Sequence, residues 1–191
     1  MKNSYVIAIT VIIGIVLGTM GSFLAVTYAM NTSQQRYKDF YDTENLVSVS
    51  PATIKQKMDT GVHDYILVDL RSAAEYDQEH IIGAINIPGT QNITSMVDAF
   101  RQLPANKDII LYCYSAACTL SRQVGQILAQ NGIFAKHLNI GWSEWRYHWD
   151  LWNPESNVTE NMSYIQQGSE PGVPVLSNDT SSCYASGGLG C

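Results

Sequence analysis

IILYCYSAACT, at positions 109–119, is the stretch that decides the fold. An apolar run ends at Cys113, small residues follow it, and a helix-like pattern begins near Thr119. This order predicts a buried strand, a short loop and a helix, with the cysteine at the end of the strand. The N–H groups and the dipole at a helix N-terminus stabilise a thiolate, so the position suits a nucleophile or a sulfur carrier. The alternative is a small buried apolar side chain, which is the usual role of a free cysteine.

Strand-like and helix-like segments alternate on both sides of this stretch. Predicted strands lie at 46–49, 65–69, 84–87, 108–112 and 135–138, and predicted helices at 51–58, from Ser72, around 95–102, after the cysteine loop to about 131, and at 142–149. This alternation predicts an α/β sandwich on a mainly parallel sheet. Ligands of such sheets bind beyond the carboxyl ends of the strands, and the Cys113 loop lies at such an end.

The N-terminal segment differs in composition from the remainder of the chain. No charged residue occurs from Asn3 to Gln35, and about 20 apolar residues are enough to span a bilayer. A secretory signal has a shorter apolar region, although Thr27–Ala29 leaves cleavage open. The predicted organisation is a single-pass transmembrane anchor in the lipid bilayer at 5–30, a polar stalk at 31–45, a folded domain at 46–153 and an extended or disordered tail at 154–191.

The net charge and the glycosylation sequons indicate which partners the domain has and on which side of a membrane it lies. The net charge of −6 and the scattered Lys and Arg residues argue against nucleic acid as a partner. Basic residues on the two sides of the apolar segment are nearly balanced, so they do not decide its orientation. Asn-x-Ser/Thr sequons favour an extracytoplasmic domain, the alternative being a Ser- and Asn-rich tail without glycans. These sequons begin at Asn31, Asn92, Asn157, Asn161 and Asn178.

Four motifs resemble those of the rhodanese-like domain family. They are residues 68–76, 79–88, 110–113 and 141–145, and the resemblance extends over 46–153. It implies a rhodanese-like three-layer sandwich and sulfurtransferase activity without a cofactor. In that chemistry a Cys113 thiolate takes sulfur from thiosulfate or a persulfide, holds it as a persulfide, and passes it to a thiol or cyanide. The resemblance also implies that Asp69 and Arg71 support the loop.

The predicted active-site loop departs from the family pattern. Its residues are Tyr114, Ser115, Ala116, Ala117, Cys118 and Thr119. Related loops commonly carry arginine where Tyr114 and Cys118 stand, so thiosulfate should bind weakly and a persulfide should be less affected. A catalytically weak or inactive module for interaction or redox sensing therefore stays open as an alternative. A phosphatase or arsenate reductase needs a Cys-x5-Arg pattern, and Thr119 stands at the arginine position.

The three other cysteines leave alternatives open. Cys118 is either a packed residue at the start of a helix or a thiol that resolves a persulfide into a disulfide. Cys183 and Cys191 either form a small disulfide or act as a flexible dithiol. The spacings of cysteine and histidine predict no metal site.

Overall fold

The computed structural model describes residues 2–153 and 160–174. The chain divides into two compact units, Met1–Leu46 and Val47–Cys191. The first unit is part of one long helix, α1, at Lys2–Val47. Its stretch Ile9–Val47 contains an 18-residue window of mean hydropathy 2.3, and the helix is long and apolar enough to cross a membrane.

The segment predicted as a polar stalk continues the same helix. Its side chains pair at helical spacing, since Gln35 lies 2.7 Å from Asp39 and Lys38 lies 2.5 Å from Asp42. Pairs four residues apart stabilise an exposed helix. The helix therefore ends only where the first strand begins.

The second unit contains alternating short helices and strands. Their bounds are β1 Ser48–Val49, α2 Pro51–Asp59, β2 Tyr65–Asp69, α3 Ala73–Gln78, β3 His80–Ile81, β4 Ile85–Asn86, α4 Ile93–Arg101, β5 Asp108–Tyr112, α5 Leu120–Gln130, β6 Ala135–Leu138, α6 Trp142–Tyr147 and β7 Ile165–Gln166, with short 3-10 helices at Trp149–Leu151 and Glu160–Tyr164. The predicted alternation of strands and helices is confirmed.

The main sheet has the strand order β1-β6-β5-β2-β4, and all of its pairs are parallel. β5 lies at the centre, between β2 and β6. The second sheet is small and pairs β3 with β7 in antiparallel orientation. The carboxyl ends of the parallel strands therefore meet at one edge, where the residues after β5 emerge.

The main sheet is covered on both faces, which confirms the three-layer α/β sandwich. Along β5, Ile110 and Tyr112 belong to one buried cluster, which also contains Met58 of α2 and Trp145 of α6. Leu111 belongs to the opposite cluster, which contains side chains of α4 and α5. Successive residues of a strand point to opposite faces, so a strand covered on both sides reads as a continuous apolar run.

The predicted capping box of α3 is present. The Ser72 N–H donates to Glu75 Oε2 at 3.1 Å, and the Glu75 N–H donates to Ser72 Oγ at 3.4 Å. Both bonds satisfy donors that the first turn of a helix leaves unpaired. At α2 the predicted Ser50 and Pro51 occupy the N-cap and first helical positions, although the Ser50 side chain makes no capping bond.

Within the segment predicted as an extended or disordered tail, residues 160–166 form a 3-10 helix and a short strand. β7 adds to β3, and Tyr164 is buried beside Trp145, whose indole N–H donates to the Tyr164 carbonyl at 3.3 Å. A two-residue strand is too short to show an apolar period, so the sequence pattern did not reveal it. The predicted pairing of Cys183 with Cys191 lies outside the described residues.

The sequons differ in their exposure to solvent. Asn161 is buried, and its side-chain N–H donates to the Arg146 carbonyl at 2.7 Å, so this amide is not available for a glycan in the folded domain. Asn92 is exposed and caps α4 with its side-chain oxygen. Asn157 and Asn178 lie outside the described residues.

Candidate functional site

Cys113 directly follows β5 and is only 2% exposed. Its side chain belongs to the apolar cluster on the α4 and α5 face of the main sheet. The sequence predicts this position at the carboxyl end of a buried strand, and the structure shows that the strand is the central one. The thiol is enclosed by protein, so a reactant must approach it through the cleft formed by the following loop.

The loop after Cys113 is tied to the start of α6 by backbone hydrogen bonds. The Trp142 N–H donates to the Cys113 carbonyl at 2.8 Å, and the Ser143 N–H donates to the Tyr114 carbonyl at 2.9 Å. Gly141 lies so close to the loop that a Cβ atom there would stand 2.2 Å from the Ser115 nitrogen. The segment 141–145 therefore positions the loop.

Two carboxylates contact the loop. Glu144 Oε2 accepts the N–H of Ala116 at 3.1 Å and that of Gly141 at 2.9 Å. The Tyr114 hydroxyl donates to Glu75 Oε2 at 2.9 Å. Neither carboxylate was predicted from the sequence to belong to the site. Negative charge beside the loop disfavours a dianionic ligand, and the Ala116 N–H is already engaged.

A small cleft opens at Cys113. Its lining residues are Cys113, Ser115, Ala116, Cys118, Ser121, Arg122, His137, Leu138, Asn139 and Ile140. The predicted loop residues Tyr114, Ala117 and Thr119 are not among them. Arg122 is the arginine of this lining, and it stands on α5 rather than beside the cysteine. The contribution of β6 was not predicted, because nothing in the sequence of 137–140 points to it.

Burial raises the pKa of the Cys113 thiol to about 11, and the hydrogen bond with the Cys118 side chain acts in the same direction. The N–H groups of Ser121 and Ser115 lower the pKa but do not compensate. The structure therefore differs from the prediction of a stabilised thiolate. No described residue other than glycine has a positive φ, so the loop lacks the alternating backbone of an anion-binding nest.

The pKa of the Cys118 thiol shifts in the opposite direction. Burial opposes its ionisation, but the hydrogen bond with Cys113 and the N–H groups of Leu120 and Tyr114 outweigh it and lower the pKa of Cys118. The Cys118 thiol is also less buried than that of Cys113. Burial therefore opposes a thiolate more strongly at Cys113 than at Cys118.

This difference predicts the order in which the two thiols react with iodoacetamide. At pH 8 we expect Cys118 to be alkylated at least tenfold faster than Cys113, because only the thiolate reacts and each pKa unit changes its amount about tenfold. Trypsin cleaves after Lys107 and Arg122, so one peptide carries both cysteines, and fragmentation locates the label. Initial labelling on Cys113 would contradict the assignment.

Asp69 and Arg71 form a buried ion pair below the loop. Arg71 Nη2 lies 2.6 Å from Asp69 Oδ2, and the Tyr112 hydroxyl donates to the same oxygen at 2.7 Å. The Arg71 guanidinium lies 4.5 Å from the ring centre of Trp142. These contacts join the ends of β2 and β5 to α6. The supporting role of the two residues stays a prediction, and the contacts define how to test it.

Within residues 2–153 and 160–174, no group of three or more His, Cys, Asp or Glu side chains is arranged to hold a metal ion. The chemistry that this site offers from its own residues is that of two neighbouring thiols. One is buried at the strand end, and the other is partly exposed at the start of a helix.

Comparison with known proteins identifies the family. The sequence model of the rhodanese-like domain matches residues 50–148, just over half of the chain, and the chain belongs to this family. An HTH-type transcriptional regulator from Mycobacterium tuberculosis is 33% identical over 99 residues, which are 52% of this chain and 41% of that protein. The chain thus spans about two fifths of the length of this curated relative.

Solved structures show the same fold. The BH2092 protein from Bacillus halodurans is 29% identical, with a TM-score of 0.52, and the match covers 60% of this chain and 82% of that one. A full-length protein from Lactobacillus plantarum is 18% identical, with a TM-score of 0.51 and coverage of 61% and 94%. The second likeness concerns the fold alone.

Proposed function

We propose that the chain is a sulfurtransferase in which Cys113 carries sulfane sulfur as a persulfide and passes it to a thiol or cyanide. The observation that carries this proposal is the place of Cys113, at the carboxyl end of the central strand of a rhodanese-like domain and in the lining of a cleft. The N–H groups of Ser115 and Ser121 that face its sulfur favour the anionic state of the thiol and of its persulfide.

The transfer consists of two displacements at sulfur. The Cys113 thiolate attacks the outer sulfur of a donor persulfide, and the donor leaves as a thiolate with the electron pair of the broken bond. An acceptor thiolate or cyanide then attacks the outer sulfur of the Cys113 persulfide, and the Cys113 thiolate is released. Each step forms one bond and breaks one, so no external oxidant or reductant is needed.

The charges around the loop favour a persulfide donor over thiosulfate. Glu75 and Glu144 contact the loop, and the positions next to Cys113 and at the loop end hold Tyr114 and Cys118 instead of a cation. A dianion meets repulsion from these two carboxylates, although Arg122 lines the cleft from α5, and a donor with one charge or none meets less repulsion. We therefore propose a low-molecular-weight persulfide as the donor class.

Mass spectrometry of the full chain in mild detergent tests the proposal. After incubation with glutathione persulfide or thiosulfate, we expect a mass increase of about 32 Da on Cys113 of the peptide of residues 108–122 in the Cys118→Ser variant, and none on this peptide in the double variant Cys113→Ser/Cys118→Ser. Thiocyanate formation in the presence of cyanide should fall at least a hundredfold in Cys113→Ser. No adduct from either donor on the folded Cys118→Ser protein would refute the proposal.

A redox-sensing or interaction module is the second candidate. The specific observation in its favour is the raised pKa of Cys113, which leaves little of the nucleophilic form at neutral pH. Such a module reacts with few equivalents of a donor or oxidant and then stops. Multiple turnovers with cyanide as the acceptor would exclude it, and a single equivalent of adduct without turnover would support it.

We further propose that the chain is anchored in a membrane through residues 5–30, with its folded domain on the extracytoplasmic side. The apolar helix supports the anchor, and the exposed sequons at Asn31 and Asn92 support the side. Protease added to intact cells should remove the domain and leave a protected fragment that contains residues 5–30. A domain that resists protease until the cells are lysed would contradict this orientation.

A further inference from the structure

Cys118 has no part in the transfer described above, yet the structure holds it against Cys113. The Cys118 N–H donates to the Ser115 carbonyl at 3.0 Å, and this turn folds the loop back on itself. The Cys118 carbonyl oxygen lies 3.9 Å from Cys113 Sγ. Both residues line the same cleft, and both are free thiols.

We propose that Cys118 is a resolving thiol, which attacks Sγ of the Cys113 persulfide and releases the carried sulfur as hydrosulfide. The product is a disulfide between Cys113 and Cys118. This inference rests on the proposed function, because it requires a persulfide on Cys113. It adds a second outcome for the carried sulfur, which leaves as sulfide when no acceptor takes it.

The step balances in atoms and electrons. The Cys118 thiolate supplies the electron pair of the new Sγ–Sγ bond, and the bond between Cys113 Sγ and the outer sulfur breaks. The outer sulfur leaves with that bond's pair, takes one proton and becomes HS⁻. The two cysteine sulfurs are oxidised to the disulfide while the sulfane sulfur is reduced. Two equivalents of an external thiol, or one dithiol, restore the cysteines and are themselves oxidised to a disulfide.

The local environment suits these roles. Cys113 is buried at the end of β5, where a bound sulfur is shielded from solvent, whereas Cys118 is partly exposed and lies on the loop. Cys118 is also the more acidic thiol of the pair, so it supplies the attacking thiolate at neutral pH. Four residues separate the two cysteines, and the turn at Ser115 already brings them together.

The test uses the reduced full chain in mild detergent, without oxygen and with no thiol acceptor. A low-molecular-weight persulfide is added and removed, free thiols are alkylated at timed intervals, and the protein is digested with trypsin. Both cysteines lie on the peptide of residues 108–122, whereas Cys183 and Cys191 lie beyond the last tryptic site at Arg146, so their products are read on a separate peptide. Released sulfide is measured in parallel, and a sample without donor controls for oxidation.

We expect the wild-type peptide to become about 2 Da lighter than the dithiol peptide, with about one sulfide released per chain. The Cys118→Ser variant should keep its adduct of about 32 Da at least tenfold longer. A wild-type adduct that persists as long as that of Cys118→Ser would overturn the inference and leave the proposed function intact. A wild-type persulfide that fragmentation locates on Cys118 instead of Cys113 would also overturn it, since the roles would then be reversed. If the Cys118→Ser variant forms no adduct, the result refutes the proposed function instead.

Discussion

Replacing Asp69 with alanine is expected to lower the free energy of unfolding by about 3–5 kcal/mol, because it leaves a buried cation without its carboxylate. Asp69 is 0% exposed and accepts hydrogen bonds from the Arg71 backbone and guanidinium and from the Tyr112 hydroxyl. Arg71 keeps its bond to the Glu79 carbonyl and its contact with the Trp142 ring, but neither of these neutralises its charge. Urea unfolding of the full chain in detergent, followed by tryptophan fluorescence, measures the loss.

Two comparisons show whether the buried charge is the cause. Asp98 pairs with Arg101 at 3.0 Å on the surface, so Asp98→Ala should cost less than about 1 kcal/mol. The double variant Asp69→Leu/Arg71→Met removes both charges and should be more stable than Asp69→Ala alone. If Asp69→Ala unfolds at the same urea concentration as the wild type, the ion pair does not support the domain.

The second large effect is expected at Gly141. An added Cβ atom would stand 2.2 Å from the Ser115 nitrogen and 2.4 Å from the Ser115 Cα. Both neighbours are backbone atoms, so the loop has to move away from α6. We expect Gly141→Ala to lose about 3 kcal/mol, which corresponds to a fall of about 10 °C in Tm. The alkylation rate of Cys113 should rise at the same time, because the displaced loop uncovers the thiol.

Gly125 provides the matched control. It lies inside α5, and nothing stands within 4 Å of the position that its Cβ would take. Alanine is the better helix former, so Gly125→Ala should raise stability by about 0.5–1 kcal/mol and leave the Cys113 alkylation rate unchanged. A Gly141→Ala protein with the wild-type Tm and wild-type Cys113 reactivity would show that the loop is free to shift without cost.

The elements of the main sheet were predictable from the sequence, and the small second sheet was not. The strands at Tyr65–Asp69 and Asp108–Tyr112 were predicted with their observed bounds, because strands covered on both faces of a sheet leave a nearly continuous apolar run. The capping box at Ser72 and Glu75 was equally clear, since its bonds join residues three apart. β3 and β7 each contain two residues, and their pairing depends on a contact across more than eighty positions.

The candidate site likewise has features that the sequence predicted and features that it did not. The position of Cys113 between a strand and a helix follows from neighbouring residues, and so does the lack of a loop arginine. The contacts of Glu75 and Glu144 with the loop were not predictable, because each carboxylate is brought there by a different helix from a distant part of the chain. Their effect on donor charge could be inferred only after those helices were placed.

The sequence by itself determined that this protein has a cysteine at the end of a buried strand in a rhodanese-like sandwich, since apolar runs, caps and motifs are properties of adjacent residues. Only the tertiary structure decided the state of that cysteine. Enclosure by the sheet and α5 raises the pKa of Cys113, and the folded loop brings Cys118 against it as the more acidic partner. Ionisation depends on solvent exclusion and on distances through space, which the order of residues does not express.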